Sequence, residues 1–214
     1  MKALFYSGIL VSISFCLSAF SILSTNSNNF NFDQIQRLAL LNQLELQNGD
    51  LIFRKGRSIE SRIVLLSDGD SEYSHVGLVY KHNRKTFVIH ASPIEEGDKD
   101  DFIRMESIED FVSEEKAVKF ALYRVAGSLI NFPEIACSYA FDCFLKKYRF
   151  DNRYDLKSNS KLYCTELIWK AYKYAGIDLV RNRLKNINLI LIHKKIIMPS
   201  SIIESKLLKK IYSN

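Results

Sequence analysis

Residues 74–91 read Ser-His-Val-Gly-Leu-Val-Tyr-Lys-His-Asn-Arg-Lys-Thr-Phe-Val-Ile-His-Ala, and the pairing of this run decides the fold. Ser74 to Tyr80 and Thr86 to Ala91 are rich in β-branched and aromatic residues, with the polar stretch Lys81-His82-Asn83-Arg84-Lys85 between them. That pattern predicts a β-hairpin. If residue i faces residue 167 − i, His90 falls opposite Gly77. His75, two positions from Gly77, then lies on the same face, because side chains alternate along a strand. Gly77 leaves space across from His90, so that its ring can lean towards His75. A slip of one residue would put the two histidines on opposite faces.

Outward from the hairpin, Asp33 to Leu46 has helical periodicity behind a capping aspartate. Asn48-Gly49-Asp50 is a turn in which Asp50 closes the loop, and Leu51 to Arg54 is a short strand. Ser58 to Leu66 predicts a second helix, closed by Ser67-Asp68-Gly69-Asp70. Ser107-Ile108-Glu109-Asp110 resembles the N-terminal cap of a helix ending near Lys116, and Val118 to Val125 is a strand. Asn131 to Tyr148 is helical, with Pro133 in its first turn. A polar connector, Arg149 to Lys161, leads to a helix that starts at Cys164 and stops at Gly176. Asn188 to Met198 is strand-like, and Pro199 opens a last short helix. Helices and strands are mixed without a βαβ rhythm, so the expected class is α+β with an antiparallel sheet.

Cys164 stands at the start of its helix, where unpaired N–H groups and the positive end of the dipole favour a thiolate and lower its pKa. The same N–H groups suit an oxyanion on an acyl group under attack. A buried, inert thiol is the competing reading. The chain has four histidines; His82 falls in the hairpin turn and His193 among lysines, which leaves His75 and His90. Together they supply a nucleophile, Cys164, a base, His75, and a group that orients the base, His90. The same three donors could hold zinc, but no C-x-x-C or H-x-x-x-H pair completes a ligand set, and no metal or cofactor is expected. Tyr163 is a candidate for substrate contact through its hydroxyl, or else packs. Glu166, in the first helical turn, suits the dipole, opposes a thiolate and reads as structural.

Four segments in this order resemble a known family: Gly49-Asp50-Leu51-Ile52-Phe53-Arg54, Ser74-His75-Val76-Gly77-Leu78-Val79, Val88-Ile89-His90-Ala91 and Tyr163-Cys164-Thr165-Glu166-Leu167. The chain resembles the YiiX/YebB-like members of the NlpC/P60 superfamily, circularly permuted papain-like cysteine hydrolases in which histidine precedes cysteine. The resemblance covers roughly residues 45 to 200. It implies Cys164 as nucleophile and His75 as general base. His90 matches the third polar position, often a glutamate in these permuted proteins. The implied fold is a small antiparallel barrel-like sheet packed against the nucleophile helix. The implied substrates are cell-wall peptides or related amides. Lipid acyl chains are the alternative, by similarity to lecithin:retinol acyltransferase-like enzymes, and a third alternative is a binding module without turnover.

The 214 residues are 47% hydrophobic, enough for one sizeable core. The expected organisation is a leader or anchor over residues 1–24 and a single catalytic domain over 25–214. Ala3 to Leu23 carries no charge and gives way to the Asn- and Ser-rich run from Ser24, as a signal peptide or an uncleaved membrane anchor would. Export to a bacterial periplasm or cell envelope is therefore expected. The net charge of +6 is diffuse and accompanies no nucleic-acid-binding signature, so nucleic acid is not an expected partner, whereas an anionic membrane surface is compatible with it. Past residue 24 the cysteines are Cys137, Cys143 and Cys164, an odd set; the first two lie on different faces of one helix, so no structural disulfide is expected.

Overall fold

The computed structural model describes residues 33–94, 100–127, 131–158, 160–189 and 192–214. The chain divides into two compact units, Met1–Leu44 and Glu45–Asn214. In the first, a helix spans residues 33–43 (α1) and closes with the Leu44 N–H donating to Leu40 O at 3.2 Å. The expected leader over residues 1–24 lies outside the described residues. No helix among the described residues is long and apolar enough to cross a membrane.

The second unit runs β1 (Leu51–Gly56), α2 (Ile59–Ser67), β2 (His75–His82), β3 (Lys85–His90), β4 (Arg104–Ser107), α3 (Ile108–Phe111), β5 (Ala117–Val125) and α4 (Phe132–Leu145). It continues with β6 (Arg149–Phe150), β7 (Lys161–Leu162), α5 (Cys164–Tyr174), β8 (Lys185–Leu189), β9 (Ile192–Ile196), α6 (Pro199–Ile203) and β10 (Leu208–Ser213). Six strands form one antiparallel sheet in the order β10-β5-β1-β2-β3-β4, with β10 and β4 at its edges. The class is α+β, as the mixed pattern of elements predicts.

The β2–β3 hairpin pairs Leu78 with Ile89 and runs to His82 with Lys85, the register expected from the sequence. Asn83 and Arg84 both have positive φ, 50° and 62°, as a two-residue turn of type I′ requires. One face of the sheet carries Leu51, Phe53, Val76, Leu78 and Ile89 into a core shared with Ala140 of α4 and with Leu167, Ile168, Ala171 and Tyr172 of α5. On the other face α3 packs against β3 and β4, burying Ile108 and Phe111. Both faces are covered, so β1 is buried along nearly its whole length. Gly49 allows the close fit of its turn to the helical layer. Its φ is +82°, and a Cβ there would sit 2.4 Å from the Cβ of Pro133 in the first turn of α4.

Three expectations need correction. The helix from Ser107 does not reach Lys116 but ends at Phe111, although the Ser107 cap is present, with Oγ accepting from the Asp110 N–H at 3.1 Å. It is preceded by β4, whose Arg-Met-Glu-Ser sequence has little intrinsic strand character and is held by pairing with β3. The strand expected over Asn188 to Met198 is instead the second half of a hairpin, β8–β9, which starts earlier at Lys185. Strand β10 was not anticipated; its Lys209 and Lys210 suit a solvated edge.

Candidate active site

Cys164 is the first residue of α5, preceded by Tyr163 in extended conformation, and its thiol is half-buried. The helix begins against β2, where the sheet ladder changes partners. The β1–β2 pairing continues down to Arg54 opposite His75, but the β2–β3 pairing stops at Leu78 opposite Ile89. Val79 bonds on the β1 side, its N–H to Asp50 O at 2.8 Å and its O from the Gly49 N–H at 3.0 Å. Alternation along the strand turns the Val76 N–H away from β1, to the side that β3 has left. The Cys164 sulfur fills that place, near the backbone N–H groups of Val76, Thr165 and its own residue, which stabilise its charged form.

These donors and the nearby Arg54 favour a thiolate, yet burial outweighs them and pushes the thiol up to about 11. The expectation that the helix start alone would lower it is thereby corrected: the N–H groups are present, but so is desolvation. His75 is displaced the opposite way. Burial, then the Arg54 guanidinium and the charges of His90, Arg104 and Lys116, hold it well below the ordinary imidazole range. Burial thus favours the uncharged form of both groups.

Behind His75 runs a row of polar side chains on one face of β1, β2, β3 and β4. His75 Nε2 lies 2.9 Å from His90 Nδ1, and the rings are perpendicular. The same-face arrangement expected from the hairpin is present. A Cβ on Gly77 would sit 3.2 Å from the Cβ of His90 and 2.2 Å from Val88 Cγ1, so only glycine fits between them. His90 Nε2 in turn lies 3.0 Å from Glu106 Oε1, in a bent approach that is an ion-pair contact more than an in-line hydrogen bond. Glu106 is gripped by Lys116 at Oε2 and faced by Arg54 Nη1 at 3.7 Å from Oε1. Phe111 stacks on His75 and carries the Arg54 guanidinium 4.4 Å from its ring centre. Burial pushes the Glu106 carboxyl up, but His90 and Lys116 overcome it and bring it down to about 2.

Sequence reasoning did not find Glu106, Lys116, Arg54 or Phe111, because nothing local marks them. It also missed Tyr154, which has φ of +52°, a strained conformation for an aromatic residue. The Asp151 carboxylate holds that loop by accepting from the Arg153 N–H at 2.9 Å and the Asp155 N–H at 2.5 Å. The Tyr154 ring packs on Tyr163, and its hydroxyl is raised by burial and by the neighbouring Cys164. Tyr163 itself is not placed for substrate contact. It is buried in the core, and its hydroxyl oxygen accepts from the Ile197 N–H at 3.0 Å. Glu166 is fully buried beside Lys170, and desolvation raises it to about 7. Asp50 closes its turn by accepting from the Gln47 N–H at 2.8 Å and pairs with Arg124.

The donor set does not fit a tetrahedral zinc site. A zinc ion needs about 2.0–2.1 Å to each nitrogen, and two ring nitrogens facing each other at 2.9 Å leave no room for one between them. Among the described residues no group of three His, Cys, Asp or Glu side chains is arranged to hold a metal ion. Cys137 and Cys143 are buried free thiols.

Residues 45–212 match the family described as permuted papain-like amidase enzymes, YaeF/YiiX, C92. A curated relative, the uncharacterized protein YiiX of Escherichia coli (strain K12), is 27% identical over 131 residues, 60% of this chain and 58% of that protein. The match thus spans less than two thirds of the relative's length. A crystal structure described as that of metalloprotein yiiX from Escherichia coli O157:H7 superposes with a TM-score of 0.63 at 22% identity, covering 80% of this chain and 99% of that one. At that identity the likeness speaks for the fold alone. The family match, over most of the chain and spanning every element of the site, means that this protein belongs to the permuted papain-like amidase family.

Proposed function

We propose that the protein hydrolyses an amide bond through a thioester on Cys164, with His75 as base and His90 as the group that orients it. The observation that carries this reading is the Cys164 thiol at the start of α5, near the N–H groups of Val76, Thr165 and its own residue, with α5 packed on the strand that begins with His75. His75 takes the thiol proton as sulfur attacks the acyl carbon, and the N–H groups receive the developing oxyanion. His75 then gives that proton to the leaving amine. Water, deprotonated by His75, attacks the thioester; carboxylic acid leaves and the thiol is restored. A peptide or amidated fragment of the cell wall is the first substrate to try. Residues 3–23, uncharged and apolar, support export, with processing or retention of that segment readable by N-terminal sequencing of the protein from fractionated cells.

A lipid-acyl substrate is the second reading, favoured by one feature. Helix α2 has no buried residue and exposes Ile59, Ile63 and Leu66 at the i, i+4, i+7 spacing of one helical face. The test labels wild type, Cys164→Ala and His75→Ala with an acyl electrophile near neutral pH, then assays wall peptides and phospholipid micelles. The amidase reading expects labelling of wild type only and new amino termini from peptides. Fatty-acid release with a rate sensitive to micelles would favour the lipid substrate. Equal labelling of all three proteins would leave a binding module.

A further inference from the structure

We infer that the turn end of the β2–β3 hairpin and the last turn of α4 form a surface that docks on a bilayer with anionic headgroups and holds the active site away from it. The apolar part of this surface is a stack of rings. Between ring centres, His82 lies 6.0 Å from Tyr80, Tyr80 5.0 Å from Phe141 and Phe141 6.0 Å from Phe144, so the stack runs from the end of β2 to the end of α4. His82 is exposed, the other three rings are half-buried, and Leu145, the last residue of α4, is 61% exposed. Phe141, Phe144 and Leu145 follow the i, i+3, i+4 spacing of one helical face.

Charge selects the occupant. The hairpin turn brings Arg84 and Lys85, and the end of α4 brings Lys146 and Lys147, all exposed. The carboxylates on this side are largely answered: Asp142 by Lys146 and Asp101 by Arg149, each at 2.6 Å, and Glu45 by the charge of Arg124. With Lys81 set against Asp100, the balance left around the rings is the positive charge of Arg84, Lys85 and Lys147. Rings inside a positive rim suit the headgroup boundary, where aromatic side chains settle and cations are drawn to anionic lipid. The path of the chain supports the same face. Lys81, beside the turn, donates its N–H to Asn48 Oδ1 at 2.7 Å and its Nζ to Leu46 O at 3.1 Å, so the first residues of the second unit lie next to this surface. The uncharged residues 3–23, expected to be a leader or anchor, precede them in the chain. A retained anchor would therefore tether the unit at the end that carries the rings.

The active site lies at the other end of the same strand. His75 begins β2 and His82 ends it, and at about 3.3 Å per residue they stand about 23 Å apart. A docked unit thus turns Cys164 to the aqueous side, and the substrate within its reach is a soluble peptide or amide, not an acyl chain inside the bilayer. That consequence rests on the hydrolytic reading of Cys164; the docking itself does not. Helix α2 follows β1 beyond the Arg54–His75 pair, so its Ile59, Ile63 and Leu66 ridge lies at the active-site end of the sheet. Docking through that ridge is the competing orientation.

The experiment footprints lysines of the wild-type full chain by acetylation and mass spectrometry, with vesicles of phosphatidylcholine alone or containing phosphatidylglycerol. On the anionic vesicles only, Lys85 and Lys147 should be labelled several-fold more slowly. Lys157, in the loop whose Tyr154 packs on Tyr163, and Lys195, next to the Lys194 that bonds to that loop, should keep their rates. Arg84→Glu/Lys85→Glu should lower the docked-to-free ratio at least roughly 30-fold, at about fivefold per cation near an anionic surface, and so unmask Lys147. Its acylation of Cys164 by p-nitrophenyl acetate should match wild type. A second measurement replaces the single tryptophan by Trp169→Phe and adds Leu145→Trp or Leu66→Trp, with thermal unfolding of each variant alongside. Lipids brominated in the acyl chain should quench the Leu145→Trp variant and leave the Leu66→Trp variant bright. Protection of Lys157 or quenching of Leu66→Trp overturns the inference, and so do unchanged rates at Lys85 and Lys147 on anionic vesicles. Protection with an unreactive Cys164 would keep the docking surface and remove the hydrolytic reading; acylation without protection would do the reverse.

Discussion

Cys137 and Cys164 are both thiols whose pKa burial raises, to about 12 and about 11, and both sit in helices packed against β2. Their surroundings differ in hydrogen-bond sense. Cys137 donates its thiol to Val79 O at 3.3 Å and has one backbone N–H, that of Gly49, near its sulfur, so its site favours the retained proton. Cys164 is ringed by donors, the N–H groups of Val76, Thr165 and its own residue, and the next side chain along β2 is a basic imidazole. Burial alone thus does not distinguish an inert cysteine from a reactive one. The sense of the hydrogen bonds around the sulfur does, together with a base that stays neutral.

The largest effect that could break this contrast is on acylation. Cys164→Ala should abolish labelling and turnover, a loss of at least about a thousandfold on the scale of removing a catalytic nucleophile. Cys137→Ala should label as wild type does and cost about 1 kcal/mol of stability in urea unfolding, for a small buried group removed. Labelling that follows Cys137 would invert the comparison.

The pH profile sharpens it. His75 must be neutral to accept a proton, and its pKa lies well below the ordinary imidazole value of 6.5. Activity should therefore hold level through neutral pH and fall only on acidification below 6.5, by about tenfold per pH unit once past the His75 pKa. Ultraviolet thiolate absorbance should be absent at pH 7 and rise only as the pH approaches about 11. A thiolate signal at neutral pH, lost on acidification together with activity, would show a resting ion pair instead.

The smallest effect concerns the space that seats His90. Gly77→Ala places a methyl 2.2 Å from Val88 Cγ1 and 3.2 Å from the Cβ of His90. Overpacking of this kind costs about 1–3 kcal/mol. Urea unfolding should register that loss, with a fall in acylation rate as His90 is pushed from His75. Wild-type stability in this variant would mean that the β2–β3 gap accommodates the methyl.

Much of the site was legible in local patterns. The hairpin followed from two β-rich runs around a polar turn, and its register put His75 and His90 on one face. The start of α5 followed from helical periodicity after Cys164. What escaped was set by contacts distant in sequence. Glu106 sits in a strand without strand-like composition, which exists because β3 offers an edge. Lys116 fell within the expected extent of a helix that in fact stops at Phe111.

The sequence by itself determined the α+β class, the order of histidine before cysteine, and the period-two alternation that aligns the two imidazoles. These are short-range properties, fixed by side-chain spacing along a strand or at a helix start. Only the tertiary structure decided that β3 leaves β2 where α5 arrives, exposing the Val76 N–H to the thiol. It also decided that Glu106, Lys116 and Arg54 meet behind His90, and that desolvation outweighs the helix start in setting the Cys164 pKa. Burial and charge are sums over neighbours from every part of the chain, and no local pattern contains such a sum.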